Sequence, residues 1–240
     1  MKIAIHQPQY LPWLGYFAKW TAADLFVFLD TVQYEKNGWQ NRNRIKTREG
    51  PRWLTVPVRA KLGTLIRDVP VDPSQNWPAR HLAAIENAYA GAPGWRRYRD
   101  EVRAFYRREW DRLAPAATAS AVWLADELGV TTPTRLASEI DLPEGAPSDA
   151  TARLVGLCRA VGADTYLAGR DGALYMDIGQ FEAAGITVEI QQYEHPVYTQ
   201  EHGEFAPFLS TLDLLLNHGD EALGILNAGN AWSRLSPQPR

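Results

Sequence analysis

The chain has 240 residues, 45% apolar and 22% charged, with a net charge of −3 at pH 7, which suits one large α/β domain with a well-filled core. Slight acidity argues against a surface that grips a nucleic-acid polymer through its phosphates, and a single cysteine, Cys158, excludes an internal disulfide and a Cys-rich zinc site. No apolar run reaches the ~20 residues that span a bilayer, and the start MKIAIHQPQY lacks the apolar core of a signal peptide, so a cytoplasmic protein without a membrane partner is expected.

Residues 2–5 read as a strand and residues 14–22 as a short helix behind the intervening loop. Residues 25–29 form a continuous apolar run ending at Asp30, the pattern of a strand buried on both faces. Strand, helix and strand in close succession open a right-handed parallel unit. After a polar segment at 37–50, residues 53–58 predict a third strand, whose pairing Pro57 ends or confines to a sheet edge. Helical spacing then marks residues 81–89, 98–110 and 116–128, a helical insertion over about residues 75–130.

The α/β pattern resumes with a strand near 135–138 and a Pro- and Gly-rich loop at 142–147. A helix at 149–161, a strand at 165–168, a helix at 172–184 and a strand at 187–191 follow, then helices at 209–216 and 221–226. Residues 233–240 are polar with two prolines and read as a loose tail, leaving a single α/β domain over 1–232.

The first strand runs directly into His6-Gln7-Pro8-Gln9-Tyr10. Parallel sheets place their chemistry just outside the carboxyl ends of strands. His6, Gln7, Gln9 and Tyr10 are therefore candidate site residues, as is Asp30 at the end of the second apolar run. His6 is the acid/base candidate, because imidazole titrates near neutral pH.

Trp39-Gln-Asn41-Arg42-Asn43-Arg44-Ile-Lys46 is a second constellation. Alternate residues of an extended segment face the same way, so Asn41 and Asn43 point one way and Arg42, Arg44 and Lys46 the other. Guanidinium forks match phosphate and carboxylate oxygens in two-pronged fashion. With Trp39 beside it, this segment reads as an anion-binding strip for the phosphate of a nucleotide or nucleotide sugar.

Tyr166-Leu-Ala-Gly169-Arg170-Asp171-Gly172 has the form of a strand, a turn and a helix start, where backbone N–H groups can hold an anion. It lacks the lysine and serine of a P-loop and the spaced glycines of a dinucleotide fingerprint. Gly169 and Asp171 enter as binding candidates, with helix capping as the other reading of Asp171.

Residues 191–205 supply His195, Tyr198, Gln200 and His202 among Glu194, Glu201 and Glu204. The histidines lie seven apart and Pro196 prevents a helix between them, so a helical zinc site is not expected. Acid/base or hydrogen-bonding roles for His195 and His202, with Tyr198 and Gln200 on the substrate, are the expectation, with no metal and no cofactor. Cys158 shares an apolar stripe with Leu154, Leu157 and Val161 and reads as core.

Four motifs join into a family pattern: His6-Gln7-Pro8-x-Tyr10-x-Pro12-Trp13-x-Gly15, Trp39-x-Asn41-Arg42-Asn43-Arg44-Ile45, Asp164-x-Tyr166-Leu167-x-Gly169, and His195-Pro196-x-Tyr198-x-Gln200 with Gly203-x-Phe205. Together they closely resemble the WbqC-like family over roughly residues 1–220. The resemblance implies an association with O-antigen, other surface-polysaccharide or secondary-metabolite biosynthesis. The chain departs from it at one turn, where Ala168 stands in place of a serine and Arg170-Asp171 in place of small residues. A fainter likeness is to nucleotidyltransferase-like α/β folds, which carry a histidine-bearing loop after the first strand. Their His-x-Gly-His is absent here, so adenylyl transfer does not carry over.

The expected architecture is thus a mostly parallel sheet with nucleotidyltransferase- or Rossmann-like layering and a helical insertion. The expected function is a transferase moving an acyl, aminoacyl or other small group onto an amine-bearing or nucleotide-activated small molecule. A nucleotidyltransferase-like enzyme and a non-catalytic binding or scaffold subunit are the alternatives. The partner is an anionic or nucleotide-linked small molecule, and a homodimer is left open.

Overall fold

The computed structural model describes residues 1–142 and 149–235. The chain starts with β1 (Lys2–His6), α1 (Leu14–Thr21) and β2 (Leu25–Phe28), followed by the ribbon strands β3 (Arg42–Thr47) and β4 (Gly50–Thr55). Three helices come next, α2 (Trp77–Tyr89), α3 (Trp95–Arg107) and α4 (Leu113–Glu127). Then follow β5 (Thr134–Leu136), α5 (Ala150–Ala160), β6 (Thr165–Ala168), α6 (Ile178–Ala183) and β7 (Thr187–Tyr193). The last elements are α7 (Thr211–His218), α8 (Ala222–Asn227) and β8 (Asn230–Leu235).

Six strands form one sheet in the order β5-β2-β1-β6-β7-β8. All neighbours are parallel except β8, which runs antiparallel to β7. The chain grows outward from β1 in one direction and then returns to grow in the other. That reversal puts a topological switch point between β1 and β6, where open α/β sheets bind ligands.

Side-chain alternation on the strands sets the layers. Ala4, Phe26, Phe28 and Leu167 face a large core shared with α1, the three helices α2 to α4, and α7 and α8. Ile3, Ile5, Val27, Tyr166, Val188 and Ile190 face the opposite side, against Leu154, Leu157 and Cys158 of α5 and Phe181 of α6. Trp20 stacks on Phe26 at 4.4 Å and fixes α1 on the sheet. Gly15 is required there: a Cβ at that position would lie 2.3 Å from the Trp13 ring, which folds back over the first turn.

Several elements differ from the sequence expectation. The strand expected at 53–58 pairs with residues of the polar 37–50 segment as the β3–β4 hairpin, outside the main sheet. Its inward face is narrow, with Asn43, Ile45 and Leu54 buried, so the polar outward face masked its period. The helices at α2, α3 and α4 each start earlier than their apolar spacing suggests, with Pro78 and Pro115 in first turns, where a missing N–H breaks no helical bond. The helix expected from 172 is a short 3-10 turn at Arg170–Leu174, and α6 starts only at Ile178. Asp177 rather than Asp171 caps α6, accepting from the Gly179 N–H at 3.0 Å. The tail expected from 233 begins instead inside β8, whose residues Asn230 to Leu235 all pair with β7. The Pro- and Gly-rich loop, from residue 143, and residues 236–240 lie outside the described residues.

Candidate functional site

Parallel pairing aligns His6 with Phe28 and Ala4 with Leu167, so His6, Asp30 and Gly169 emerge at the same end of the sheet, the carboxyl ends of its strands. The Nδ1 of His6 meets the Gln7 carbonyl at 3.1 Å. A carbonyl only accepts, so Nδ1 carries the hydrogen and Nε2 is left with its lone pair. The ring rests 4.6 Å from Tyr16. Burial, then the neighbouring Lys19, hold the His6 pKa well below its usual value, against the opposing pull of the Gln7 bond. At neutral pH His6 is therefore a free base.

Lys19, on α1 one turn after Tyr16, is 3% exposed. It has no hydrogen bond or ion pair among the described residues, and burial alone pulls its pKa to about 7. Gly169 has open space where a Cβ would stand. Asp30 is differently employed: its carboxylate accepts from the Ser138 N–H at 2.9 Å and the Ser138 hydroxyl at 2.6 Å, anchoring the segment after β5. Asp171 is exposed on the 3-10 turn.

The loop after β1 is buried and tied down. The Gln7 side-chain oxygen accepts from Gln40 Nε2 at 2.7 Å. Tyr10 is fully buried, its hydroxyl bonded to His81 Nδ1 at 2.9 Å and to the Tyr106 hydroxyl at 2.5 Å. Leu11 adopts a φ of 48°, a left-handed conformation that a leucine rarely takes. Asn43 donates to the Leu11 carbonyl at 2.6 Å and accepts from the Arg44 N–H at 2.8 Å, so its amide holds this loop and the strand. Gln9 is buried, and its side-chain oxygen has no partner among the described residues.

A cleft of about 1160 Å³ lies between residues 33–37, β4, residues 57–62 and α2, and His6, Gln7, Asp30 and Gly169 are not in its lining. Lys36, Arg42, Arg52, Lys61 and Arg80 line it against two carboxylates, Glu35 and Asp72. Arg42 lies over the Trp53 ring at 4.4 Å and donates to the Asn37 carbonyl. Asn41, also in the wall, donates to the Val56 carbonyl at 2.8 Å. Asn41 Oδ1 and Arg42 Nε are buried without a partner among the described residues. Trp39 packs 5.5 Å from Trp53, and both indoles are about 40% exposed. Arg44 lies outside the cleft wall, with its guanidinium on the Pro207 and Phe208 carbonyls at 3.4 and 3.3 Å.

The 195–202 segment is bonded internally. His195 donates from Nδ1 to the Pro196 carbonyl at 2.8 Å and accepts at Nε2 from the Phe208 N–H at 3.1 Å. Burial lowers its pKa, so the ring is neutral and both nitrogens are occupied. His202 donates from Nε2 to the Ala88 carbonyl at 2.7 Å. Tyr198 and Tyr89 donate to Asp213 at 2.9 and 2.7 Å. Gln200 accepts from Lys46 Nζ at 3.1 Å and from the Ala206 N–H at 2.9 Å. The structure thus brings His6, Gln7 and Gly169 to the carboxyl ends of the central strands and Asn41 and Arg42 into a cleft linked to them through Gln7 and Gln40, while His195, Tyr198, Gln200 and His202 fasten the C-terminal segment to the hairpin and helices.

Sequence reasoning missed Lys19 and Asp213. Both sit in helices whose spacing is apolar, and only the packing of the fold shows each to be inside. Among the described residues no three His, Cys, Asp or Glu side chains are grouped to hold a metal.

The WbqC-like protein family model matches residues 7–225. The chain is also 34% identical over 225 residues to the uncharacterized protein Rv1507c of Mycobacterium tuberculosis (strain ATCC 25618 / H37Rv), covering 92% of this chain and 95% of that protein. No solved structure matches.

Proposed function

This chain belongs to the WbqC-like protein family, and we propose that it is a biosynthetic transferase acting on an anionic, nucleotide-linked small molecule in surface-polysaccharide or secondary-metabolite biosynthesis. The observation that carries the reading is the cleft lined by five cations, Arg42 among them, beside the half-exposed Trp53. Guanidinium forks suit phosphate oxygens, and indoles suit a flat base. One cleft wall, residues 33–37, belongs to the loop that Gln40 fastens to Gln7, the neighbour of His6.

In this reading the transferred group is an activated acyl or related carbonyl and the acceptor is an amine. The nitrogen lone pair forms the new N–C bond, and the electron pair of the breaking bond departs with the leaving group. His6 Nε2 takes the proton released by the amine and returns it to the leaving group. Asn41 and Arg42 hold the anionic portion.

The test is calorimetric titration with UDP, a nucleotide sugar and acyl-CoA, followed by assay of group transfer with the ligand that binds. Saturable binding is expected, with transfer abolished but binding retained in His6→Gln. Binding with no turnover under any donor would favour the binding-subunit alternative, and no binding at all would overturn the proposal.

A further inference from the structure

The strand-end edge holds one group that nothing described so far employs. Lys19 is buried, its charge acts on His6, and its amine makes no hydrogen bond or ion pair among the described residues. A buried ammonium without a counter-charge is strongly disfavoured, and a buried amine without a partner forfeits its hydrogen bonds. Such an arrangement is relieved by an incoming negative oxygen. The surroundings point the same way: Nε2 of His6 has no hydrogen bond among the described residues, and Gly169, at the end of the neighbouring strand, leaves open space at the switch point.

We propose that Lys19 receives an oxyanion, the carboxylate or phosphate group of a second substrate, at the carboxyl ends of β1 and β6. The inference rests on the reading of that edge as the reacting end. On binding, an amine that is still neutral takes one proton from solvent and the resulting ammonium pairs with the oxygen, so occupancy completes a positive charge that the empty site carries only in part near pH 7.

Among the described residues no carboxylate pairs with Lys19, and burial is the only cause of its lowered pKa. From α1 there is Tyr16, whose hydroxyl donates to the Gln7 carbonyl at 3.3 Å, and from β1 there is His6. Lys2, on the same face of β1 at its far end, pairs with Glu189 of β7 at 2.8 Å, and Arg234 of β8 stands across from Glu189. Gln191 and Asn230 bond to each other at 3.0 Å and to the α1 carbonyls of Gly15 and Ala18. Burial leaves the Lys19 amine poised near pH 7, where a nearby negative charge shifts it most usefully.

The chain has only five lysines, so ¹³C-lysine NMR resolves Lys19. The experiment uses the Arg42→Ala protein, which removes the cleft's central cation, and titrates pH with inorganic phosphate or acetate at saturation. The expected result is a Lys19 midpoint near 7 without anion and a rise of about one pH unit or more with one of them, a tenfold preference of the charged form for the anion. Response to phosphate alone or to acetate alone identifies which group the site takes. Lys19→Met, which replaces the amine by an apolar chain of similar length, should bind that anion at least tenfold more weakly. No movement of the Lys19 midpoint with either anion, or unchanged affinity in Lys19→Met, would overturn the inference; if Lys19→Met fails to fold, the Arg42→Ala titration decides alone. Tryptophan fluorescence of the unsubstituted protein with UDP reports on the cleft separately. Quenching by UDP with a silent Lys19 defeats this inference and leaves the proposed function standing.

Discussion

Gln7 and Gln40 are joined side chain to side chain at 2.7 Å, and Gln40 also accepts from the Glu35 N–H at 2.9 Å. One amide thus links the loop that leaves β1 to the loop that walls the cleft. Gln40→Ala should lower stability by about 1–3 kcal/mol, the net worth of two typical hydrogen bonds, and should weaken nucleotide binding as well. Thermal unfolding and calorimetry on the same variant check both. A variant that loses stability but binds nucleotide normally would show that the wall stands without Gln40.

The two arginines of the strip should behave differently. Arg42→Ala should weaken binding of an anionic nucleotide by about 1.5–3 kcal/mol, the range for a hydrogen bond to a charged group. Arg44→Ala should leave that affinity alone and act only on stability, because Arg44 bonds the Pro207 and Phe208 carbonyls. Equal losses of affinity would move the binding surface to the outer face of the hairpin.

Much of the architecture was legible because strands buried on both faces read as apolar runs, as Leu25 to Phe28 do. The edge strand β8 was not, since Asn230, Trp232 and Arg234 alternate with small residues on a half-solvated edge. The candidate site was legible in part. His6, Asn41 and Arg42 follow from position and residue type, whereas Asn43, Tyr10 and His195 have polar side chains for which chemistry and internal bonding look alike in a sequence. Lys19 was hidden altogether, because a lysine near the end of a helix normally lies in water.

Stability should fall in mild acid through His81. Burial holds its pKa at about 4 in the folded protein, against 6.5 for the free side chain. Between those values the unfolded chain binds the extra proton, so stability declines as pH drops from about 6.5 and levels off below about 4, by up to ~3 kcal/mol. His6 and His195 are lowered too and add to the same slope. Urea unfolding at pH 7 and pH 5 should show a smaller difference in His81→Gln, which keeps an acceptor for Tyr10. An equal difference would assign the acid sensitivity to other groups.

Cys158 should be inert in the native state. It is fully buried and its thiol is pushed up to about 12, first of all by burial. A thiolate is the reactive form, so a disulfide reagent at pH 8 should label the protein only after denaturant is added. Cys158→Ala should keep all activity and lose about 1–2 kcal/mol of stability for the small cavity it leaves. Rapid labelling of the folded chain would contradict the packing described for α5.

The antiparallel strand β8 covers the outer edge of β7, and Asn230 at its start reaches back to the Ala18 carbonyl of α1 at 2.7 Å. A fragment cut before residue 230 would therefore expose a row of unpaired backbone groups of the kind that recruits foreign strands. It would also unlatch the helix one residue before Lys19. Solubility and the chemistry at the carboxyl ends of the central strands would then fail together on a single truncation, although no residue of β8 touches a ligand in the scheme above.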